Sequence, residues 1–337
     1  MFPFLDSLFN KPKVIDVAHE RRNISNLAAG LGAIFLLSQL FQTIAGLFLG
    51  LFFSSYHFSY VTLLLISSGI TYFVAMPLSM AFFGECDVHP VEKRKMDAGT
   101  LIGLIFLCLA LMHVGSVISS FIDDLTMNLM GESTGDPLGD TVAEIPLWAI
   151  FLLIVIMAPI FEEIFYRGVV INRLRRYGDG TAIVVSGLIF GLIHGNFNQF
   201  FYATFVGMVL AAVYLLTGKL SITIFLHMVV NFMGTFYISV MNEKFGGEIP
   251  AVLNDEVIET YPVGVTMLSA YSLIYVLSLI VAIPMLIHLI KETRRRLSPA
   301  EVSLQGSQRF QAVFCNLGFW FAVIMIGGNF VTNLLPA

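Results

Sequence analysis

The sequence predicts an all-α protein, a polytopic bundle of transmembrane helices. Of its 337 residues, 57% are hydrophobic and only 12% are charged, whereas a soluble domain carries about 25% charged residues. The mean hydropathy is +0.84, and long apolar runs of the length that spans a bilayer recur along most of the chain. These observations exclude an ordinary soluble domain. They predict an integral, multi-pass membrane protein that contacts the lipid bilayer and no nucleic acid.

Hydrophobicity divides the chain into about nine apolar spans, with eight as the lower count. The spans are predicted at 26–53, 58–83, 98–122, 145–168, 181–196, 199–217, 220–241, 263–290 and 311–334. The spans that begin near 181 and 199 are short and closely connected, so one of them is predicted to be tilted, broken or re-entrant. The resulting units are a cytoplasmic N-terminal segment that could lie at the membrane interface (1–25), N-terminal helices (26–144), a central unit (145–241) and C-terminal helices (242–337).

Lysine and arginine set the predicted orientation. With the N-terminus in the cytoplasm, 17 of the 18 basic residues fall on the cytoplasmic side, at 11–22, 93–95, 167–176, 219 and 291–309. Only Lys244 falls outside. The opposite side carries two loops rich in acidic residues, 123–144 and 242–262. This distribution follows the positive-inside rule, and an odd number of spans would place the C-terminus outside.

The stretch APIFEEIFYRGVV (158–170) places three ionisable side chains at the end of an apolar run. Each of them costs about 2.5–3.5 kcal/mol to insert into a membrane. Glu163 and Arg167 lie four residues apart on one helical face, so they can pair. Glu162 points about 100° away and has no partner on its own helix, which leaves it available as a general base or acid. Pro159 removes a backbone hydrogen bond and is predicted to kink the helix beside Glu162.

Two further segments place polar side chains in apolar spans. His194 lies in GLIFGLIHGN (187–196), and FLHMVVNF (225–232) presents His227 and Asn231 four residues apart on one face. Counted from the neighbouring basic or polar ends at ~1.5 Å per residue, Glu162, His194 and His227 lie roughly 12–20 Å from the cytoplasmic edge. We therefore expect the three side chains to meet in one cavity. Intramembrane ionisable residues are candidate functional sites by default.

Each polar residue also has a purely structural interpretation. An ion pair such as Glu163–Arg167 can simply brace the fold, and a lone histidine in a membrane helix is often satisfied by one interhelical hydrogen bond. That interpretation suits His113 and His288. The central set, however, combines one acid, two imidazoles and an amide on three separate spans. These groups can supply the base and the oxyanion donors that peptide hydrolysis requires.

The three segments resemble the motifs of the CPBP (Abi) family, which comprises the type II CAAX prenyl endopeptidases and the bacteriocin-processing and self-immunity proteins. The motifs are EEIFYR at 162–167, FGLIH at 190–194 and HMVVN at 227–231, in that order. The resemblance covers roughly 145–241, less than a third of the chain. It implies that these helices form the catalytic core of an intramembrane endopeptidase whose site opens toward the cytoplasmic half of the membrane.

The resemblance also implies a role for each motif residue. Glu162 would be the general base acting on water, and His194 would help to hold that water. His227 and Asn231 would bind the oxyanion. Glu163 and Arg167 would brace the site.

The metal requirement stays open. Members of this family have often been described as metalloproteases, and Glu162, His194 and His227 are ligand types that bind zinc. The sequence lacks H-E-x-x-H, in which one helix presents two ligands four residues apart, and Asn231 would be a poor zinc ligand. We favour glutamate chemistry without a metal or other cofactor, with zinc as the alternative.

The leading functional hypothesis is an endopeptidase that cleaves a membrane-associated peptide or protein, such as a prenylated tail or a leader peptide. The compact chain favours a bacterial cytoplasmic membrane as its location. Two alternatives use the same residues differently. A proton-coupled transporter would use intramembrane carboxylates and broken helices, but it predicts matched halves that the sequence does not show. A non-catalytic, protease-like regulator or immunity protein would keep the motifs without cutting a substrate.

Overall fold

The computed structural model describes residues 16–84, 86–131, 137–245, 262–302 and 304–334. Within these ranges the fold is all-α, as predicted, and contains no strand. The helices are α1 (Val17–Phe52), α2 (Tyr60–Phe83), α3 (Ala98–Met130), α4 (Pro137–Ala143), α5 (Leu147–Tyr177), α6 (Asp179–Leu192), α7 (Phe197–Thr217), α8 (Leu220–Lys244), α9 (Pro262–Arg296), α10 (Gly306–Phe314) and α11 (Leu317–Leu334).

Seven helices are long and apolar enough to cross a membrane, namely α1, α2, α3, α5, α7, α8 and α9. An eighth crossing results if α10 and α11, which are bent by 58°, form one span. The predicted span at 181–196 corresponds to α6, which has only 14 residues. At ~1.5 Å per residue it is about 21 Å long, shorter than the ~30 Å hydrocarbon core. By length and composition, the described residues therefore give seven spans, or eight if α10 and α11 form one, and eight is the lower number that the sequence predicts.

Local sequence explains where these helices begin and end. Asp16, Ser59 and Asp97 accept hydrogen bonds from backbone N–H groups in the first turns of α1, α2 and α3. The predicted first span starts at 26, but the helix α1 starts at Val17, because Asp16 caps a polar turn that precedes the apolar run. Gly195, with a φ of 69°, separates α6 from α7. The interfacial stub predicted before residue 16 and most of the acidic loop 242–262 lie outside the described residues.

The helix α7 lies at the centre of the bundle and is buried along most of its length. It packs against α3 and α6, with further contacts to α8 and α9, while α5 packs against α6 and α8. On one flank, α1 packs against α2, α10 and α11. Large apolar side chains on the outer helices are exposed, including Leu47, Leu51, Ile280 and Ile283. Such surfaces fit a lipid environment, which is as apolar as leucine.

The basic segments that the structure describes meet at one end of the bundle. Arg176, at the end of α5, pairs with Glu20 of α1 at 2.6 Å. The Arg94 amide, before α3, donates to the carbonyl of Thr217, at the end of α7, at 2.8 Å. The first amide of α6 donates to a carbonyl just after α9. The segments predicted to be cytoplasmic therefore share one side, and we call this the basic end. That this side faces the cytoplasm stays a prediction.

Glycines four residues apart, which often mark close helix packing, occur at 46/50, 99/103 and 187/191/195. Only some of them lie against another helix. A Cβ at Gly187 or Gly191 would meet atoms of α7, whereas one at Gly46 would meet nothing within 4 Å. Gly115, which belongs to no such repeat, lies directly against the backbone of Tyr202. The close approach of α3 to α7 at this point therefore depends on an isolated glycine.

We expect Gly115→Ala to lower the melting temperature of the purified protein in detergent. The added methyl would overlap the Tyr202 backbone, and overpacking of this kind costs about 1–3 kcal/mol. The matched control is Gly46→Ala, whose methyl meets open space and gains up to about 1 kcal/mol of helix propensity. Equal melting temperatures of the two variants would contradict the described contact between α3 and α7.

The orientation can be tested with one cysteine at each end of the bundle. Ser298 lies at the basic end, while Ser55 lies between α1 and α2, near the end where Tyr60 bonds to Thr141 at 3.4 Å. With Cys86 and Cys315 replaced by serine, a membrane-impermeant maleimide should label Ser55→Cys on intact cells. It should label Ser298→Cys only after permeabilisation, because basic loops stay in the cytoplasm. The opposite pattern would invert the predicted topology.

Candidate active site

Three helices bring the polar motif residues together. Glu162 and Glu163 lie midway along α5, His194 follows the end of α6, and His227 and Asn231 lie one turn apart on α8. The side chains of Glu162, His194, His227 and Asn231 all line one cavity of about 230 Å³, which we call the motif cavity. The convergence that the sequence suggests is therefore present in the structure.

Glu163 and Arg167 form a fully buried ion pair beside this cavity. Arg167 Nη1 lies 2.9 Å from Glu163 Oε1, and both side chains are 0% exposed. The guanidinium also donates from Nη2 to the carbonyl of Gly207 on α7, at 3.2 Å. Its Cζ lies 4.6 Å from the centre of the Phe190 ring on α6, a cation–π distance. Arg167 thus connects α5, α6 and α7, while neither member of the ion pair lines the motif cavity.

His227 links the buried ion pair to the motif cavity. Its Nδ1 lies 3.0 Å from Glu163 Oε1, and because a carboxylate only accepts hydrogen bonds, Nδ1 must carry the hydrogen. The other ring nitrogen, Nε2, lies 3.9 Å from Glu162 Oε2. This separation is too long for a hydrogen bond. It leaves a gap that a water molecule or a substrate atom can bridge.

Phe190 positions both imidazoles, a role that the sequence did not reveal. His194 Nδ1 lies 2.7 Å from the Phe190 carbonyl oxygen, so Nδ1 carries the hydrogen and Nε2 keeps a free lone pair. The Phe190 ring stands edge-on to His194 and His227, with ring centroids 5.2 Å and 5.5 Å apart. The sequence feature that could have indicated this role is the position of Phe190 at the start of the FGLIH motif.

A wide turn in α5 accounts for both Pro159 and Asn231. In the π-helical stretch just before this proline, the Ala158 amide bonds to the carbonyl of Leu153 rather than to that of Ile154. Pro159 has no N–H to offer the Ile154 carbonyl. Asn231 supplies the missing donor, because its Nδ2 donates to the Ile154 carbonyl oxygen at 2.8 Å. The wide turn thus creates the bond that fixes α8 to α5, while the kink predicted at Pro159 stays a prediction.

The motif cavity extends away from the basic end. Its remaining walls include Tyr72 of α2, Gln199 of α7 and Thr141 of α4, and α4 lies at the end of the bundle opposite to the basic segments. On the other side, buried apolar residues such as Val170 and Ile171 fill the core toward the basic end. Relative to the basic residues, the lining of the cavity therefore extends toward the opposite end of the bundle. The opening toward the cytoplasmic half that the resemblance implies stays a prediction.

The donors of the motif cavity do not form a metal site as they are arranged. Among the residues that the structure describes, no three His, Cys, Asp or Glu side chains are placed to share one ion. His227 already uses Nδ1 on Glu163, and His194 uses Nδ1 on a backbone carbonyl. Each imidazole therefore has a single nitrogen left for the cavity, which is the number that one metal bond uses. The metal-free chemistry favoured from the sequence stays a prediction.

We expect Arg167→Met to destabilise the protein strongly. Removing one member of a buried pair leaves the other charge uncompensated, at a cost of about 3–5 kcal/mol. The matched control is Arg94→Met, which removes an exposed pair with Glu92 and should cost under about 1 kcal/mol. Thermal unfolding in detergent measures both changes. Adding Glu163→Gln should recover part of the loss in Arg167→Met, and strictly additive effects would contradict the coupling.

Comparison with known proteins identifies the segment that carries this site. Residues 144–233 match the family model described as "Type II CAAX prenyl endopeptidase Rce1-like". The chain is also 30% identical over 93 residues to "Putative membrane peptidase YdiL" of Bacillus subtilis (strain 168). That alignment covers 27% of this chain and 37% of the relative, so the chain spans well under two thirds of the relative's length. No solved structure matches the chain.

The matched segment begins just before α5 and ends within α8, after Asn231, so it contains all three motifs. The resemblance inferred from the motifs is thereby confirmed for this part of the chain. Residues 144–233 are similar to the Rce1-like type II CAAX prenyl endopeptidases.

Proposed function

We propose that the protein is an intramembrane endopeptidase that hydrolyses a peptide bond of a membrane-associated substrate with water activated by Glu162. The observation that carries this proposal is the convergence of one carboxylate, two imidazoles and one amide on the motif cavity. Burying such groups in an apolar bundle is costly, and it is typical of functional sites. The match of residues 144–233 to a prenyl endopeptidase family supports this class of reaction.

Glu162 is the proposed general base. It lines the motif cavity and faces His227 across a gap of 3.9 Å rather than a permanent cation, so its oxygens can take a proton from water. His194 Nε2 can accept the second hydrogen of the same water. The water oxygen then attacks the carbonyl carbon of the peptide. Glu162 delivers its proton to the amide nitrogen as the C–N bond breaks.

Asn231 and His227 are the proposed oxyanion donors. The Nδ2 group of Asn231 carries two hydrogens, and the Ile154 carbonyl takes one of them. His227 can donate from Nε2 only as an imidazolium, since its Nδ1 hydrogen is engaged by Glu163. In that form the charges of the two glutamates, Arg167 and His227 sum to zero. One such fixed donor is worth about 2.7–4 kcal/mol in other hydrolases.

Glu163 and Arg167 are proposed to act as positioning residues. Neither lines the motif cavity, so neither can touch the substrate in this arrangement. Glu163 instead fixes the ring of His227 through Nδ1, and Arg167 fixes Glu163. This hierarchy resembles the carboxylate that orients a catalytic histidine in other hydrolases.

The proposed substrate is a membrane-associated peptide or protein, including a prenylated tail or a hydrophobic leader peptide. A cavity that lies among apolar helices favours substrates that enter from the bilayer. The proposed location is the cytoplasmic membrane of a bacterium, and the similarity to a Bacillus subtilis protein is consistent with it.

The decisive experiment is proteolysis by purified protein in nanodiscs, with a fluorogenic prenylated peptide and a panel of leader peptides. We expect Glu162→Gln to lower kcat by about 10²–10⁴-fold, because the amide cannot take a proton from water. The matched control, Glu144→Gln, removes an exposed carboxylate before α5 and should retain wild-type activity. A strong chelator should leave the wild-type rate unchanged.

Other outcomes would replace parts of this proposal. Full activity of Glu162→Gln on a peptide that the wild type cleaves would remove Glu162 as the base. Activity that is lost with chelator and restored by zinc would make Glu162, His194 and His227 metal ligands. Proton-coupled flux in liposomes without proteolysis would favour the transporter. Rescue of a deletion strain by a multiply substituted motif variant would favour the non-catalytic regulator.

A further inference from the structure

A second cavity adjoins the motif cavity. It has a volume of about 360 Å³ and lies between α3, α7, α8 and α9. The two cavities share polar wall residues, among them Gln199, Tyr202, Asn231 and Thr235. Gln199 Nε2 donates to the Tyr202 hydroxyl at 3.1 Å, which fixes part of this shared wall.

The lining of the second cavity is polar but carries no formal charge. Ten of its 14 lining residues have a polar side chain, including His113, Ser116, Ser119 and Ser120, and none is Lys, Arg, Asp or Glu. His113 Nδ1 is bound to the Leu109 carbonyl at 3.0 Å, so its Nε2 remains as an acceptor. An uncharged polar lining favours a neutral hydrogen-bonding occupant over an ion or a charged peptide end.

Water is the occupant that this chemistry favours. Polar groups in an apolar bundle are costly unless they have hydrogen-bond partners. In this lining Ser119 is buried, whereas Ser116 and Ser120 are exposed at the surface of the bundle. A cavity needs only about 10–15 Å³ of accessible volume to hold one water. The second cavity, with about 360 Å³, therefore accommodates several waters. In a chain that is 57% hydrophobic, a concentration of hydroxyl, amide and imidazole groups at one place provides the partners that ordered water requires.

The second cavity lies where it could supply water to Glu162. Glu162 lies midway along α5, 15 residues from either end, which is about 22 Å at ~1.5 Å per residue. Hydrolysis consumes one water per bond, so water must cross that distance. The second cavity is bordered by Leu138 of α4 and by Ser119, whose hydroxyl donates to the first carbonyl of α7 at 2.8 Å. Both lie toward the end of the bundle opposite to the basic end.

We propose that the second cavity is a water inlet, which supplies hydrolytic water to Glu162 from the α4 end of the bundle past Ser116, Ser120 and Gln199. The proposed peptidase activity gives the inlet its purpose, but the presence of water there rests on the lining alone. The two ideas can therefore fail separately.

The first test measures water directly, without proteolysis. In a background with Cys86 and Cys315 replaced by serine, Ser116→Cys is compared with Val117→Cys in nanodiscs. Val117 is the next residue on α3, is 64% exposed and lines neither cavity. Because the thiolate is the reactive form and requires water, a charged methanethiosulfonate should modify the Ser116→Cys variant at least about tenfold faster than the Val117→Cys variant. Equal rates would overturn the inlet.

The second test separates water from peptide. Ser116→Leu fills the cavity and should lower kcat about tenfold with KM unchanged, whereas the matched control Val117→Leu should change neither value. A rise in KM at constant kcat, or protection of the thiol in the Ser116→Cys variant by saturating peptide, would assign the cavity to the substrate and overturn the inlet. An unchanged kcat in Ser116→Leu would overturn it as well.

Discussion

A guanidinium without access to solvent organises the candidate site. Arg167 can remain charged in the interior only because its surroundings compensate for the water that it has lost. The compensation comes from the carboxylate of Glu163, the carbonyl of Gly207 and the face of Phe190. These groups belong to α5, α7 and α6, and His227 adds α8 through Glu163. Holding one cation therefore fixes the relative positions of four helices.

Two adjacent carboxylates obtain different roles from this arrangement. Glu163 is enclosed between Arg167 and His227, and both of these fixed partners engage its Oε1. Glu162, about 100° further round the helix, lines a cavity and has no fixed partner within hydrogen-bond distance among the contacts described. Different environments for two neighbouring acids are a recurrent way to separate a base from a bracing group.

The sequence predicted the elements whose signals are local. Hydropathy located the long helices, and intramembrane polar residues on three separate spans located the motif cavity. The sequence could not show that the helix within 181–196 ends at Leu192, because hydropathy does not distinguish a helix from a helix with its following turn. The bond from Asn231 to Ile154 and the contact of Gly115 depend on backbone geometry and on a partner helix. Neither is encoded in a window of residues.

The wide turn before Pro159 has a consequence for the angular phase of α5. A π turn accommodates about one residue more than an α turn, and one residue corresponds to about 100° of rotation. If the same residues formed ordinary α-helical turns, every side chain after this point would rotate by about 100°. Glu162 would then take the direction now held by Glu163, and Phe161 would face the cavity. A single-residue insertion in this stretch would thus exchange an acid for a phenyl ring at the same point in space.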